Sequence, residues 1–315
     1  MGSRVNELEE VRVFVTLVEC HSASKAAEKL GVANSAISRR MKALEERLGV
    51  QLLQRTTRTM HLTDDGQLFY DRCRKLLDDW NEAEQEVMQS VSTLRGNIRI
   101  SMPLSLGILH LAPVISDFMA MHPEVTVNFD LSDRRVDLVE DGFDLVFRIG
   151  HLEDSTLIAR RVTRVRHMVY CSAEFEKKHG PFHHPDDLTG IPALGYSNLR
   201  HPGRWPYRSP TGEEGEVRLS PTILSNNGEA LISVAERGLG AGCQPTFTLH
   251  DAFSEGRLIP ILQEYEWFGM NLYAVYPRSR HLSRRIRTLI DYVIERLGKE
   301  PYWDECLSCG SSSQR

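Results

Sequence analysis

Basic charge is what this chain most lacks for its size. Lysine and arginine total 38 against 43 acidic residues in 315, a formal net charge of -5, so no global field draws it to nucleic acid and any basic footprint must be local. Cysteine is scarce as well. The six thiols (Cys20, Cys73, Cys171, Cys243, Cys306, Cys309) are too few and too scattered for a disulfide scaffold. Cys306 and Cys309 have metal-ligand spacing but no second pair nearby, and the Ser/Gly-rich composition of residues 299–315 predicts a disordered tail. The longest apolar run, Leu104 to Ile115, carries His110 and falls short of the ~20 residues a bilayer span needs. Arg4, Glu7, Glu9 and Glu10 stand where a signal peptide would need apolar residues. A cytoplasmic protein with no membrane partner is expected.

Catalytic motifs are equally wanting. The segment Pro103-Leu104-Ser105-Leu106-Gly107 lacks the first glycine of a nucleophile elbow, and no histidines are paired at metalloprotease spacing. Gly238-Leu239-Gly240-Ala241-Gly242 follows a predicted helix and precedes a strand, the reverse of a dinucleotide-binding loop, and reads as a helix C-cap. His183-His184, set between Pro181 and Pro185, reads as an exposed loop. No motif asks for a catalytic residue, a metal or a cofactor, so no enzyme activity is expected.

What is present begins with three short helices. Leu8, Val11, Phe14, Val15 and Val18 recur at helical spacing. A second helix starts at Ser22 or Ser24, both suitable N-caps, and stops at Gly31. A third runs from Asn34, with Ile37, Met41, Leu44 and Leu48 along one face. Its opposite face carries Ser35, Ser38, Arg39 and Lys42 at i, i+3, i+4 and i+7, one outward stripe of short polar and basic groups. A short helix, a glycine turn and such a helix describe a helix-turn-helix whose second member enters the major groove. Between Lys25 and Leu62 there are eight basic residues (Lys25, Lys29, Arg39, Arg40, Lys42, Arg47, Arg55, Arg58) against three acidic ones, the local footprint missing from the whole. Leu52 to Arg55 and Thr59 to Leu62 predict two strands joined by Thr56-Thr57-Arg58, a wing. Arg55, Thr57 and Arg58 there suit phosphate or minor-groove contacts, which position without reading sequence.

These residues resemble the LysR-type transcriptional regulators. The resemblance rests on Phe14 to Glu19, Ser22 to Leu30 with Ala26-Ala27, Ala36-Ile37-Ser38-Arg39 with Leu44-Glu45 and Leu48-Gly49, and Arg55-Thr56-Thr57-Arg58 with Leu62-Thr63 and Gly66. Ala23 departs from a frequent aromatic, and Ala33-Asn34-Ser35 from a frequent Ser-Gln-Pro opening of the recognition helix. Further on, the resemblance continues in Leu131-Ser132-Asp133-Arg134, in Gly142-Phe143-Asp144-Leu145 with Arg148-Ile149-Gly150, and in Gly238-Leu239-Gly240. It implies an effector-binding domain of the periplasmic-binding-protein kind and covers residues 1–298.

After Thr63 or Asp64, either able to cap a helix, Phe69, Cys73, Leu76, Trp80, Ala83 and Val87 alternate spacings of four and three. This heptad stripe on an otherwise acidic helix predicts dimerisation through Phe69, Leu76, Trp80 and Val87, the role the resemblance implies for a linker helix. From Gly96 the pattern becomes βαβ alternation, hence a largely parallel sheet. Its predicted elements include a strand Ile98 to Ser101 and helices over Gly107–Met121, Val136–Asp141, Gly228–Arg237 and Ser283–Leu297. Two α/β lobes would hold a ligand at the carboxyl ends of strands.

The expected fold class is therefore an N-terminal all-α winged helix-turn-helix with a long linker helix, followed by a C-terminal two-lobed α/β domain. The divisions fall at 1–62, 63–95, 96–298 and the tail. The expected function is regulation of transcription on an inverted-repeat operator in double-stranded DNA, by a homodimer, or by a homotetramer of paired dimers, responding to a small-molecule effector. Candidate DNA-binding residues are Asn34, Ser35, Ser38, Arg39, Lys42, Arg55, Thr57 and Arg58. The effector is expected to be a carboxylate, held by Ser101, Ser105 and Asn227 near helix N-termini, with Ile149 and Thr246 lining the walls by resemblance. The alternative is a small-molecule binder or enzyme whose N-terminal module serves assembly.

Overall fold

The computed structural model describes residues 5–55, 60–87, 93–134, 136–138, 141–150, 157–278 and 282–304. Two units divide the chain after Ser92.

In the first, helices α1 (Val5–Cys20), α2 (Ala23–Leu30) and α3 (Asn34–Leu48) are followed by the antiparallel strands β1 (Leu53–Arg55) and β2 (Met60–Leu62) and by helix α4 (Asp64–Val87). Ser22 caps α2 by accepting the Lys25 N–H, and Gly31 ends it in the left-handed region at φ 64°. That tight turn lets α2 and α3 cross over buried Ala26 and Ala27. Phe14, Ile37, Met41, Leu44 and Leu52 are wholly buried, each contributing about 1.5–3 kcal/mol by removal from water. The Glu45 carboxylate accepts the N–H groups of Leu52 and Leu53 at 2.8 and 3.1 Å, which pins β1 to α3. Thr63 rather than Asp64 caps α4, its hydroxyl accepting the Gly66 N–H at 2.9 Å. Gly66 is obligatory because a Cβ there would lie 2.0 Å from the Leu52 carbonyl oxygen.

The second unit has two lobes. In the first lobe a sheet is ordered β4-β3-β5-β15-β6, from β3 (Gly96–Met102), β4 (Val125–Leu131), β5 (Leu145–Gly150), β6 (Ile158–Val165) and, much later, β15 (Met270–Tyr276). The second lobe's sheet is ordered β11-β8-β12-β7-β13, from β7 (His167–Cys171), β8 (Ala193–Tyr196), β11 (Pro221–Ser225), β12 (Ala241–Pro245) and β13 (Ile259–Ile261). Each sheet joins parallel strands to antiparallel ones, so the expected largely parallel sheet is mixed. The chain crosses between lobes, and strands entering from the other lobe run the opposite way. A small antiparallel sheet of β9 (Arg204–Arg208), β10 (Glu214–Arg218) and β14 (Glu266–Trp267) went unread in the sequence because its strands are short and charged. The lobes meet at Arg166, between β6 and β7, and at Phe268–Gly269 on the return.

The first lobe's helical layer opens at Leu104, earlier than the expected Gly107. It comprises α5 (Leu104–Leu106), a π turn (Gly107–Leu111) and α6 (Ala112–Met121). Residues Leu104–Met121 are apolar enough to pass as a membrane span by length and composition, yet Leu106, Leu111, Ile115 and Phe118 are wholly buried against β3 and β5 side chains. Of the expected helix over Val136–Asp141, the described residues show one turn's closure, the Asp141 N–H donating to the Asp137 carbonyl oxygen at 2.9 Å. The Asp141 carboxylate accepts the Asp137 N–H at 2.9 Å, and Gly142 ends the turn at φ 69°; residues 139 and 140 lie outside the described residues. The second lobe carries α7 (Ala173–His179), α8 (Gly228–Ala235) and α9 (Thr246–Ser254), and α10 (Arg284–Leu297) returns to the first. A disordered tail is expected from residue 299, but residues 299–304 are ordered against the first lobe. Pro301, Trp303 and Asp304 are buried, Trp303 at 1% exposure within the first lobe's core, while residues 305–315, with Cys306 and Cys309, lie outside the described residues.

Candidate functional site

In the N-terminal unit, α3 presents Asn34, Ser35, Ser38, Arg39 and Lys42 on its exposed side, as its periodicity predicts. The Asn34 amide donates to Ser24 Oγ at 3.4 Å, tying the start of α3 to α2. Ala33 precedes the helix without a side-chain cap. The basic footprint sorts into two groups. Arg40 pairs with Glu9 at 2.8 Å, Arg47 with buried Glu10 at 3.0 Å and Lys29 with Glu19 at 3.1 Å, so these three hold α1 against α2 and α3. They belong to the scaffold, because the acids on α1 lie outside the stretch in which basic residues dominate. Arg39 and Lys42 remain on the outward stripe, Lys42 beside Glu46 at 3.5 Å.

Strands β1 and β2 pair in register Leu53↔Leu62, Gln54↔His61 and Arg55↔Met60, the stem of a wing. Thr57 and Arg58 lie outside the described residues, as do the side chains of Arg55 and Val87. On α4 the expected stripe divides. Phe69 packs on Phe14 with ring centroids 5.5 Å apart, and Cys73 is buried with Leu77, whereas Leu76 and Trp80 are 53% and 47% exposed. Phe69 is thus a contact within its own unit rather than a free dimerisation residue. The reason is angular: the inward face, through Cys73, Arg74 and Leu77, is centred roughly a quarter turn from the stripe at 100° per residue.

In the C-terminal unit two lobes face one another across polar groups. The Ser105 hydroxyl, on α5, donates to the Glu229 carboxylate at 2.7 Å, and Glu229 also accepts the Asn227 amide at 2.9 Å. Asn227 Oδ1 caps α8 by accepting the Ala230 N–H. Asp133, after β4, accepts the Leu104 N–H at 3.0 Å and faces Tyr196, whose hydroxyl is pushed up to about 12 by burial and then by the Asp133 charge. The structure therefore brings Ser105 and Asn227 together through Glu229. Ser101 is elsewhere. It alternates with core residues Ile100 and Met102 along β3 and is 1% exposed, which removes it from the cleft wall. Thr246 is also buried, its hydroxyl donating to Asp304 at 2.6 Å. Ile149 is half-buried against the first lobe's core. Glu229 and Asp133 were missed; Glu229 was detectable as an acid in the first turn after the Asn227 cap, where a helix N-terminus favours negative charge. Among the described residues, no three His, Cys, Asp or Glu gather as metal ligands.

Two family patterns match the chain: the bacterial regulatory helix-turn-helix protein of the lysR family over residues 8–67 and the LysR substrate binding domain over residues 92–298. An HTH-type transcriptional regulator of Haemophilus influenzae is 34% identical over 282 residues, covering 90% of this chain and 98% of its own. The HTH-type transcriptional regulator CrgA of Neisseria meningitidis serogroup C is 34% identical over 291 residues, covering 92% and 97%. The solved structure of CrgA from Neisseria meningitidis superposes with a TM-score of 0.59 at 32% identity, over 95% of this chain and all (100%) of that one. A full-length OxyR variant from Pseudomonas aeruginosa, at 16% identity and a TM-score of 0.61 over 91% of this chain and 94% of that one, shares the fold.

Proposed function

The chain belongs to the LysR family of DNA-binding transcriptional regulators, and from that premise we propose how its parts divide the work. Helix α3 enters the major groove, where Arg39 reads a guanine edge and Ser35 and Ser38 allow close approach. Asn34 and Lys42 flank it, and Arg55, Thr57 and Arg58 of the wing hold phosphates. Leu76 and Trp80, continued by Val87, join two copies, so the site read is an inverted repeat. The protein acts in the cytoplasm as a regulator and not as a catalyst. The observation that carries this reading is the sorting of basic residues, with Lys29, Arg40 and Arg47 tied to α1 acids and Arg39 and Lys42 left outward on α3. Selecting duplexes from a random pool with the purified chain is the test. An enriched inverted repeat is expected; a pool that stays unenriched refutes the assignment.

The cleft bounded by Ser105 and Glu229 takes the effector. A carboxylate would displace Glu229 and accept from Ser105 and Asn227. A second reading, a ligand with an ammonium or hydroxyl donor, is favoured by the two acids, Glu229 and Asp133, already facing that space. A thermal-shift panel separates them, since saturation at ~100 times Kd stabilises by about 2.7 kcal/mol. Carboxylates that stabilise the chain more strongly once Glu229 is changed to Gln support the first reading. Amines that lose their effect in the same variant support the second.

A further inference from the structure

We propose that the segment Tyr302–Asp304 is a latch that pins the two lobes of the C-terminal unit at their hinge, so that its engagement sets how readily the lobes change their angle. Three consecutive side chains together reach both lobes and the residue that joins them. Tyr302 Oη lies 2.6 Å from His110 Nδ1 on the first lobe's π turn, and its ring stands edge-on to His250 of α9, centroids 5.6 Å apart. The Trp303 ring packs against His110 at 4.2 Å and fills the first lobe's core. Asp304 accepts the Thr246 hydroxyl at 2.6 Å, at the start of α9 in the second lobe, and faces Arg166 Nε at 3.5 Å. Arg166 is the single residue between β6 and β7, and its carbonyl accepts the Thr246 N–H at 2.9 Å.

His110 joins the lobes directly as well. Its Nε2 lies 3.0 Å from the Phe247 carbonyl oxygen, which can only accept, so Nε2 carries the hydrogen and Nδ1 accepts from the Tyr302 hydroxyl. Burial lowers the pKa of His110, in keeping with that neutral ring. The π turn over Gly107–Leu111 is the local irregularity that turns both His110 and Leu111 inward, and such turns are uncommon inside helices. Rotating the lobes breaks the Asp304–Thr246 bond, because Trp303 and the Tyr302–His110 bond hold the segment to the first lobe while Thr246 opens α9 of the second. An effector that needs a different lobe angle must open the latch first, and its apparent affinity falls with the fraction of molecules still latched.

The inference rests on reading this unit as the effector-sensing part of a regulator, and the test keeps the two apart. In the full chain, Tyr302→Phe with Asp304→Ala removes both bonds, since alanine has no oxygen to accept the Thr246 hydroxyl, and leaves Trp303 in the core. Hydrogen exchange of the free protein should quicken at least tenfold in residues 246–250 and 108–111, with α7 unchanged. Half-saturation of a duplex selected with the parent chain should shift at least threefold. Exchange that is unchanged in those stretches, or raised equally through α7, overturns the latch. Altered exchange with an unmoved half-saturation overturns its regulatory role. Tyr302→Phe alone, which retains Asp304, should show the same local quickening at about threefold. If the parent chain selects no duplex, the regulator reading fails while exchange still decides the latch.

Discussion

The two units spend their charged and polar side chains in opposite ways. In the N-terminal unit the acids of α1 take up Lys29, Arg40 and Arg47, and the outward face of α3 leaves Arg39 and Lys42 exposed. In the C-terminal unit the facing groups are spent on one another: Ser105 on Glu229, Tyr302 on His110, Asp304 on Thr246. A polyanion can dock on the first surface by displacing no more than the exposed Lys42–Glu46 pair. Whatever binds between the lobes must exchange partners, and exchange is what allows a ligand to favour one conformation over another.

That contrast is broken most sharply by acid. His167 sits at the hinge against Phe268, ring centroids 4.3 Å apart, and burial drives its pKa from 6.5 to about 3; His110 is lowered as well. A histidine kept neutral in the fold contributes its full stability above pH 6.5, where the unfolded chain is neutral too, and loses it as the pH falls toward the folded value. At its steepest the loss is ~1.4 kcal/mol per pH unit for one histidine. Asp304, held above the usual carboxylate range by burial, works in the other direction and blunts the effect at the acid end. Between pH 7 and 4.5 the melting transition reported by buried Trp205, Trp267 and Trp303 should fall steeply, and His167→Phe should flatten that slope. A transition indifferent to pH would show that the C-terminal unit does not store its stability in buried neutral rings.

Trp80 sharpens the contrast from the other side, because among the described residues of the N-terminal unit it is the large aromatic left 47% exposed. Covering the rest of an indole against a second copy removes on the order of 100 Å² from water, about 2.5 kcal/mol. Trp80→Asp should therefore weaken self-association at least tenfold in sedimentation of the full chain. Association unchanged by the substitution would assign Leu76 and Trp80 to some other contact.

Arg39 and Arg47 lie on the same helix and separate reading from holding. Arg39→Ala should cost about 1–3 kcal/mol of discrimination between selected and scrambled duplexes and leave the melting temperature alone. Arg47→Ala unpairs buried Glu10, so it should lower the melting temperature while the specificity ratio survives. If the two variants exchange phenotypes, the sorting of the basic residues is wrong.

How much of this was readable beforehand follows from how local each signal is. Helix α3, its caps and its outward stripe are set by residues within fifteen positions, and periodicity alone places Arg39 outside and Ile37 inside. The α4 stripe was half readable: spacing finds the apolar row, but only tertiary packing decides that Phe69 and Cys73 turn to their own core. In the C-terminal unit the decisive pairs are remote in sequence, Ser105 with Glu229 and Thr246 with Asp304, and no spacing rule joins them. Trp303 shows the opposite failure. Composition assigned its neighbourhood to a tail, while a single aromatic followed by an acid is enough to anchor a turn when a buried hydroxyl and a histidine await it.

The smallest effect belongs to Lys42, and it tests whether the α3 surface acts on nucleic acid at all. Its ion pair with Glu46 is exposed and spaced i, i+4, a type of contact contributing ~0.3–0.5 kcal/mol to a helix, so Lys42→Ala should leave the melting temperature within error. A phosphate contact behaves differently. Losing one cation from the interface should weaken selected and scrambled duplexes alike and make the slope of log K against log salt shallower by about 0.9. Arg55→Ala and Arg58→Ala should each do the same if the wing lies along the backbone, and each loss should add independently to the Arg39→Ala effect, as separate contacts do. A salt slope unmoved by all three would remove the phosphate role from this face and leave Arg39 without the neighbours that orient it.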